Sequence, residues 1–88
     1  MTNNDLLKKQ ILYRASHRGS KEMDLLLTNF VNKYINTFDS LQLNDLDQLL
    51  SIDDETIYNW YFKKKGSDQI VSNTVSKMLG GFILSDNL

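Results

Sequence analysis

The sequence predicts an all-α fold: a small single-domain bundle of five helices over residues 1–88. Three observations carry that expectation. Apolar residues recur at helical spacing in successive segments, most persistently at Met23, Leu26, Leu27, Phe30, Val31, Tyr34 and Phe38. No segment shows the period-two alternation of a half-buried strand. Capping residues and glycines stand where one periodic segment gives way to the next, while proline is absent, so turns must be built from Gly, Asn, Asp and Ser.

In chain order, Asn3 or Asn4 is expected to cap a first helix in which Leu7, Ile11, Arg14 and Arg18 follow at steps of four, three and four. Its apolar face therefore runs into a basic end. Gly19 breaks the chain before the next helix, as a residue that can take positive φ or admit another backbone closely, and its turn is expected to be solvent-accessible. Ser20 is the expected N-cap, with Glu22 and Asp24 in the first turn at the positive helix end. This second helix, from about Lys21 to about Asn36, carries the long apolar stripe and is predicted to be the longest. Asp39-Ser40 should end it, and Asn44 with Asp47 should open a short third helix with Leu46, Leu49 and Leu50 inward.

Ile52, Asp53 and Ile57 have the spacing of a hydrophobic staple around an Asp cap, which starts a fourth helix. On it Ile57, Trp60 and Tyr61 share a face, with Tyr58 and Phe62 towards the flank. These aromatics are expected in the core or at its edge, and any left at the surface would suit a protein interface. In Lys63-Lys64-Lys65-Gly66 three cations favour the negative helix end and Gly66 is expected as the left-handed cap. Ser67 or Asp68 should open a fifth helix with Ile70, Val71, Val75, Met78 and Leu79 on one stripe, stopped by Gly80-Gly81.

Composition bounds the function. A chain of 88 residues is one domain, burying roughly 60 to 65% of its unfolded surface. Its 41% hydrophobic and 24% charged residues are those of an ordinary globular domain. Without cysteine there is no disulfide framework and no thiolate metal site. A net charge of −1 argues against a nucleic-acid binder. No apolar run approaches the roughly 18 residues of a membrane span, and the opening MTNND does not resemble a signal peptide, so a soluble, cytoplasmic protein is expected.

Catalytic constellations are equally sparse. A lone His17 cannot build the usual zinc or Cys/His site. The acids Asp45, Asp47, Asp53, Asp54 and Glu55 lack calcium-loop spacing and are expected to be caps and first-turn charges. With glycines only at 19, 66, 80 and 81 there is no phosphate-cradling loop. A non-enzyme without a metal or a tightly bound cofactor is therefore expected.

One cluster stands out. Lysine outnumbers arginine eight to two, yet both arginines, Arg14 and Arg18, fall at one helix end with His17, Gly19 and Glu22. Arginine forks onto carboxylates and carbonyls in fixed geometry, which suits a partner-binding edge. The plainer alternative is an Arg18 to Glu22 ion pair bracing the junction. As a surface anchor Arg18 should be dispensable for stability, whereas Trp60 should not.

At these residues the chain resembles the succinate dehydrogenase assembly factors called SdhE in bacteria. Arg18-Gly19-Ser20-Lys21-Glu22-Met23-Asp24 is similar to their Arg-Gly-x-x-Glu signature followed by an apolar residue and Asp. Leu49 to Trp60 is similar to their Leu-Leu, Asp-Asp and Asn-Trp block. The resemblance covers roughly Ile11 to Phe62, with Ser20 where a bulky apolar residue such as methionine is expected. It implies a five-helical, all-α assembly chaperone that binds the flavoprotein subunit of succinate dehydrogenase, with fumarate reductase as a further client, and promotes covalent FAD attachment to a histidine of that partner. It implies Arg18 and Glu22 as polar anchors, Gly19 as the point of close approach, and Arg14 and His17 as rim, in a protein that is monomeric when free. A small regulatory or nucleic-acid-binding helical module is the alternative on composition.

Overall fold

Side-chain caps set four of the five helix starts. The computed structural model describes residues 3–83, residue 3 by its backbone only. It contains α1 (Asn3–Ser16), α2 (Lys21–Tyr34), α3 (Ser40–Leu50), α4 (Asp54–Phe62) and α5 (Thr74–Gly81), and no strand among the described residues. Ser20 caps α2 by accepting from the Met23 amide, and Asp53 caps α4 by accepting from the Thr56 amide, both as expected from the sequence. The side chain of Asn3 lies outside the described residues. Asn4 sits in the first turn of α1, where its amide donates to the Ser40 hydroxyl at 3.0 Å.

Three boundaries differ from the expected ones, each because a stronger local cap prevails. Asp39 does not end α2 but opens α3, in a reciprocal box with Gln42, so Asn44 lies inside that helix instead of at its start. Asn73 opens α5 in a second such box with Ser76, leaving residues 67–73 irregular, with Ile70 half-buried against the core and Val71 exposed. The left-handed residue after α4 is Lys64, at φ 57°, and not Gly66. The amides of Lys63 and Lys65 both close onto the Asn59 carbonyl, at 3.1 Å each, which reverses the chain before Gly66 is reached. Gly80 and Gly81 are the last residues of α5, which stops at Phe82. The stripe of α2 is as expected, but the helix ends at Tyr34 and matches α1 at 14 residues.

The core is assembled mainly from Ile11 and Ala15 of α1, Met23, Leu26, Leu27, Phe30 and Val31 of α2, and Leu43, Leu46, Leu49 and Leu50 of α3. Ile57, Val75 and Leu79 complete it from α4 and α5. Helix α1 runs antiparallel to α2, with the Thr28 hydroxyl on the Ala15 carbonyl and the Lys8 ammonium on the Asn36 side chain. It runs parallel to α3, because Asn4 meets Ser40 and Gln10 and Arg14 meet Asp47. Helix α5 packs on α3. The backbone of α4 touches the other helices only sparsely, so side chains hold it.

Of those side chains, Trp60 and Tyr61 are half-buried while Phe62 is exposed. Trp60 lies over Gly80, and the Tyr61 hydroxyl donates to the Phe82 carbonyl. Burial pushes the Tyr61 phenol above its ordinary value. Phe82 in turn meets Phe30 edge-on at 5.3 Å, so the end of α5 is tied to both α4 and α2.

Two outcomes follow. Trp60→Ala should cost about 2 kcal/mol, less than for a fully enclosed indole, because the ring is half-exposed and a neighbour can relax; chemical denaturation measures it. The Asp53 carboxyl is held below its ordinary value of 3.8, first by the Thr56 hydroxyl and amide. A depressed folded value gives stability that is present above the ordinary value and lost as pH falls through the lowered one. Melting profiles taken from pH 5 down to 2 should therefore show an acid loss that Asp53→Asn reduces, since asparagine still caps but does not titrate.

Candidate functional site: the Gly19 edge and its arginine clamp

The junction of α1 and α2 is built around an arginine that points inward. Arg18 follows the end of α1, and its side chain is only 8% exposed. Its Nε donates to Asp54 Oδ1 at 2.6 Å, Nη1 to the Leu50 carbonyl at 2.6 Å, and Nη2 to the Ile52 carbonyl at 2.9 Å. A longer contact of 3.4 Å returns from Nη1 to the Arg14 carbonyl. The planar fork thus meets the carbonyl of the last residue of α3, a carbonyl of the following turn and the first carboxylate of α4 at once, which an ammonium could not do.

The backbone around Arg18 is tied down as well. Its own amide donates to Asp24 Oδ1 at 2.8 Å, and the Gly19 amide donates to Asp54 Oδ2 at 2.5 Å. Asp54 therefore binds Arg18 with one oxygen and Gly19 with the other. Gly19 does not use positive φ. What its missing side chain admits is this carboxylate, since an added Cβ would lie 3.1 Å from Asp54 Oδ2.

These contacts reassign several of the sequence expectations. Arg18 is not paired with Glu22, and its guanidinium is occupied inside the chain instead of standing at the surface. Arg14 is half-exposed and bridges to Asp47 of α3 at 3.3 Å. His17 is exposed, stacked on Tyr13 with ring centroids 3.9 Å apart. Its Nδ1 lies 2.8 Å from the Tyr13 carbonyl, which can only accept, so this nitrogen is the donor. Gly19 and Glu22 are both exposed, and Glu22 has no hydrogen bond or ion pair to any described residue. It stands beside a shallow groove of about 540 Å³ lined by Gly19, Ser20, Glu22, Met23, Asp54, Glu55 and Tyr58.

Asp54 and Asp24 are the residues that the sequence did not single out. Asp54 reads as a first-turn charge next to the capping Asp53, and its true partners lie 36 and 35 residues away. The one available signal is the Asp-Asp pair itself, because only one of the two can cap. Ser20, where a bulkier apolar residue was expected, does what an apolar residue cannot, by capping α2.

This is a small all-α module whose clamped helix junction presents a carboxylate, unpaired among the described residues, beside a groove. The chain belongs to the family described as flavinator of succinate dehydrogenase, whose model matches residues 9–82. It is 34% identical over 82 residues to a mitochondrial succinate dehydrogenase assembly factor 2 of Dictyostelium discoideum, covering 93% of this chain and 58% of the relative. It is 37% identical over 59 residues to the factor of the same name from Scheffersomyces stipitis, covering 67% of this chain and 40% of the relative. For the zebrafish factor, from Danio rerio, the figures are 31% over 80 residues, 89% and 51%. The chain thus spans about half the length of the curated relatives it matches. No solved structure matches it.

The clamp gives Arg18 a part in stability alongside Trp60, where a dispensable surface anchor was expected. Arg18→Ala strands two carbonyls and a carboxylate and should cost about 2 to 4 kcal/mol, lowering the melting temperature by more than about 10 °C for a domain of this size. Arg18→Lys should recover little of this, since one ammonium cannot serve three divergent acceptors. Thermal melts by circular dichroism decide it.

Proposed function

We propose that this chain is an assembly factor that binds the flavoprotein subunit of succinate dehydrogenase and promotes covalent attachment of FAD to it. Family membership supports the client, and the observation that carries the site is Glu22: an exposed carboxylate, unpaired among the described residues, fixed next to Gly19 by the Arg18 clamp. In this reading Gly19 and Glu22 meet the flavoprotein, Arg14 and His17 form the rim, and Arg18 shapes the edge from beneath. The chain performs no chemistry of its own and holds no cofactor tightly. The histidine nucleophile and the flavin both belong to the flavoprotein, whose active site supplies the near-attack geometry and stabilises the flavin charge.

A small helical protein assists such a reaction by binding one domain arrangement of its client more tightly than the others, which raises the population of that arrangement. The rigidity of the junction matters here, because an edge already fixed in shape loses little conformational freedom on docking. The free protein is read as a monomer, and fumarate reductase as a second client on the same edge. Among the described residues no helix is long and apolar enough to cross a membrane. A cytoplasmic site of action is proposed on the sequence reading, although the relatives are named as mitochondrial.

Glu22 gives the clean test. Gly19→Arg, which would block the edge, would also push on Asp54 and so confuse docking with folding. Glu22→Gln removes only a charge in the first turn of α2 and should cost less than about 0.5 kcal/mol of stability. For an anchor buried on binding, the affinity loss should be about 2 kcal/mol, roughly thirtyfold. Pull-down of the flavoprotein subunit and its covalent flavin content should both fall while the melting temperature holds. A folded Glu22→Gln variant that binds and flavinylates as the parent does would remove this edge from the function.

A further inference from the structure

The far end of α4 carries a second surface that the Gly19 edge does not use. Lys63, Lys64 and Lys65 are all exposed, and none has a carboxylate partner among the described residues. Lys63 is the C-cap residue of α4 and the other two follow it directly, so all three complement the negative helix end. Two of them also lie over aromatic rings. The Lys64 ammonium stands 5.3 Å from the centre of the Tyr61 ring, and that of Lys63 5.9 Å from Tyr58. Lys64 reaches its ring by way of a backbone at φ 57°, where glycine would be unstrained. Lysine in this left-handed conformation carries a strain that glycine would not, and it is what brings the ammonium over the ring.

We propose that the groove of about 280 Å³ lined by Trp60, Tyr61, Lys64, Lys65, Gly66 and Gly80 docks a short acidic segment of a protein partner, its carboxylates on the lysines and its apolar atoms on the rings. The aromatic floor lowers the local dielectric and strengthens each cation to carboxylate contact. Charge complementarity selects a short segment over a long polyanion. The nine residues of α4 span only about 13 Å, and Asp53, Asp54 and Glu55 stand at its other end, where they would repel a nucleic-acid strand running past the lysines. The two grooves share no lining residue, while Tyr58, over which Lys63 lies, borders the groove beside Glu22; the proposal does not depend on the flavoprotein reading.

Trp60 is the only tryptophan and reports directly on this groove. Its emission is followed while the intact protein is titrated with the peptide acetyl-Glu-Glu-Leu-Glu-Glu-amide and with the same peptide carrying Gln for each Glu. The acidic peptide should give a saturable change that weakens with salt, and the Gln peptide none. Lys64→Gly and Lys65→Gln should each weaken binding by about three- to tenfold. Lys64→Gly should at the same time melt no earlier than the parent, because glycine adopts the positive φ freely, so a loss of binding cannot be a loss of fold. Glu22→Gln should leave the titration unchanged, which separates this surface from the Gly19 edge. No saturable change, equal affinity in the lysine variants, or tighter binding of a short DNA duplex that displaces the peptide would each overturn the proposal.

Discussion

A single guanidinium joins the parts of this molecule that the apolar core joins least well. Hydrophobic contact fixes α1, α2 and α3 against one another, but α4 sends only Ile57 fully into that core. Arg18 completes the assembly by binding the end of α3, the turn after it and the start of α4. Its cost in desolvation is high, and it is offset because the carbonyls it meets already lie at a helix end, where orphan acceptors need donors. The same residue that satisfies α3 therefore orients α4.

The clamp also accounts for the residue types along the edge. Asp54 has two oxygens and two jobs, and its second oxygen can reach the Gly19 amide only because position 19 lacks a side chain. Asp24 holds the Arg18 amide, and Ser20 holds that of Met23. With the junction saturated in this way, Glu22 faces outward without a partner among the described residues, as does Glu55 across the same groove. The two charges lie one turn apart, and the cluster in the sequence resolves into one buried side chain, Arg18, and one exposed one, Glu22.

Much of the fold was legible because helical periodicity and short-range caps are local. The stripe from Met23 to Val31, the Ser20 cap and the Asp53 cap all follow from residues within one or two turns of each other. The misplaced starts of α3 and α5 show the limit of that logic: Asp39 with Gln42 and Asn73 with Ser76 form reciprocal boxes, and a glutamine or serine at the third position is a weaker signal than the acids nearby. At the site, Gly19 and Glu22 were legible as exposed residues of a junction. The destination of Arg18 was not, because its acceptors are two backbone carbonyls and a carboxylate more than thirty residues away, and carbonyls carry no sequence signature.

The sparse backbone packing of α4 bears on motion. A helix held by one core side chain, a polar fork and a few aromatic edges can detach as a unit without opening the rest, so its amides should exchange with solvent sooner than those of α2. Both grooves border this helix, one at each end. A molecule bound at either end would suppress the same detachment, and the second to arrive would meet a helix already stilled. Two surfaces that share no residue would then bind cooperatively, through lost motion instead of changed shape.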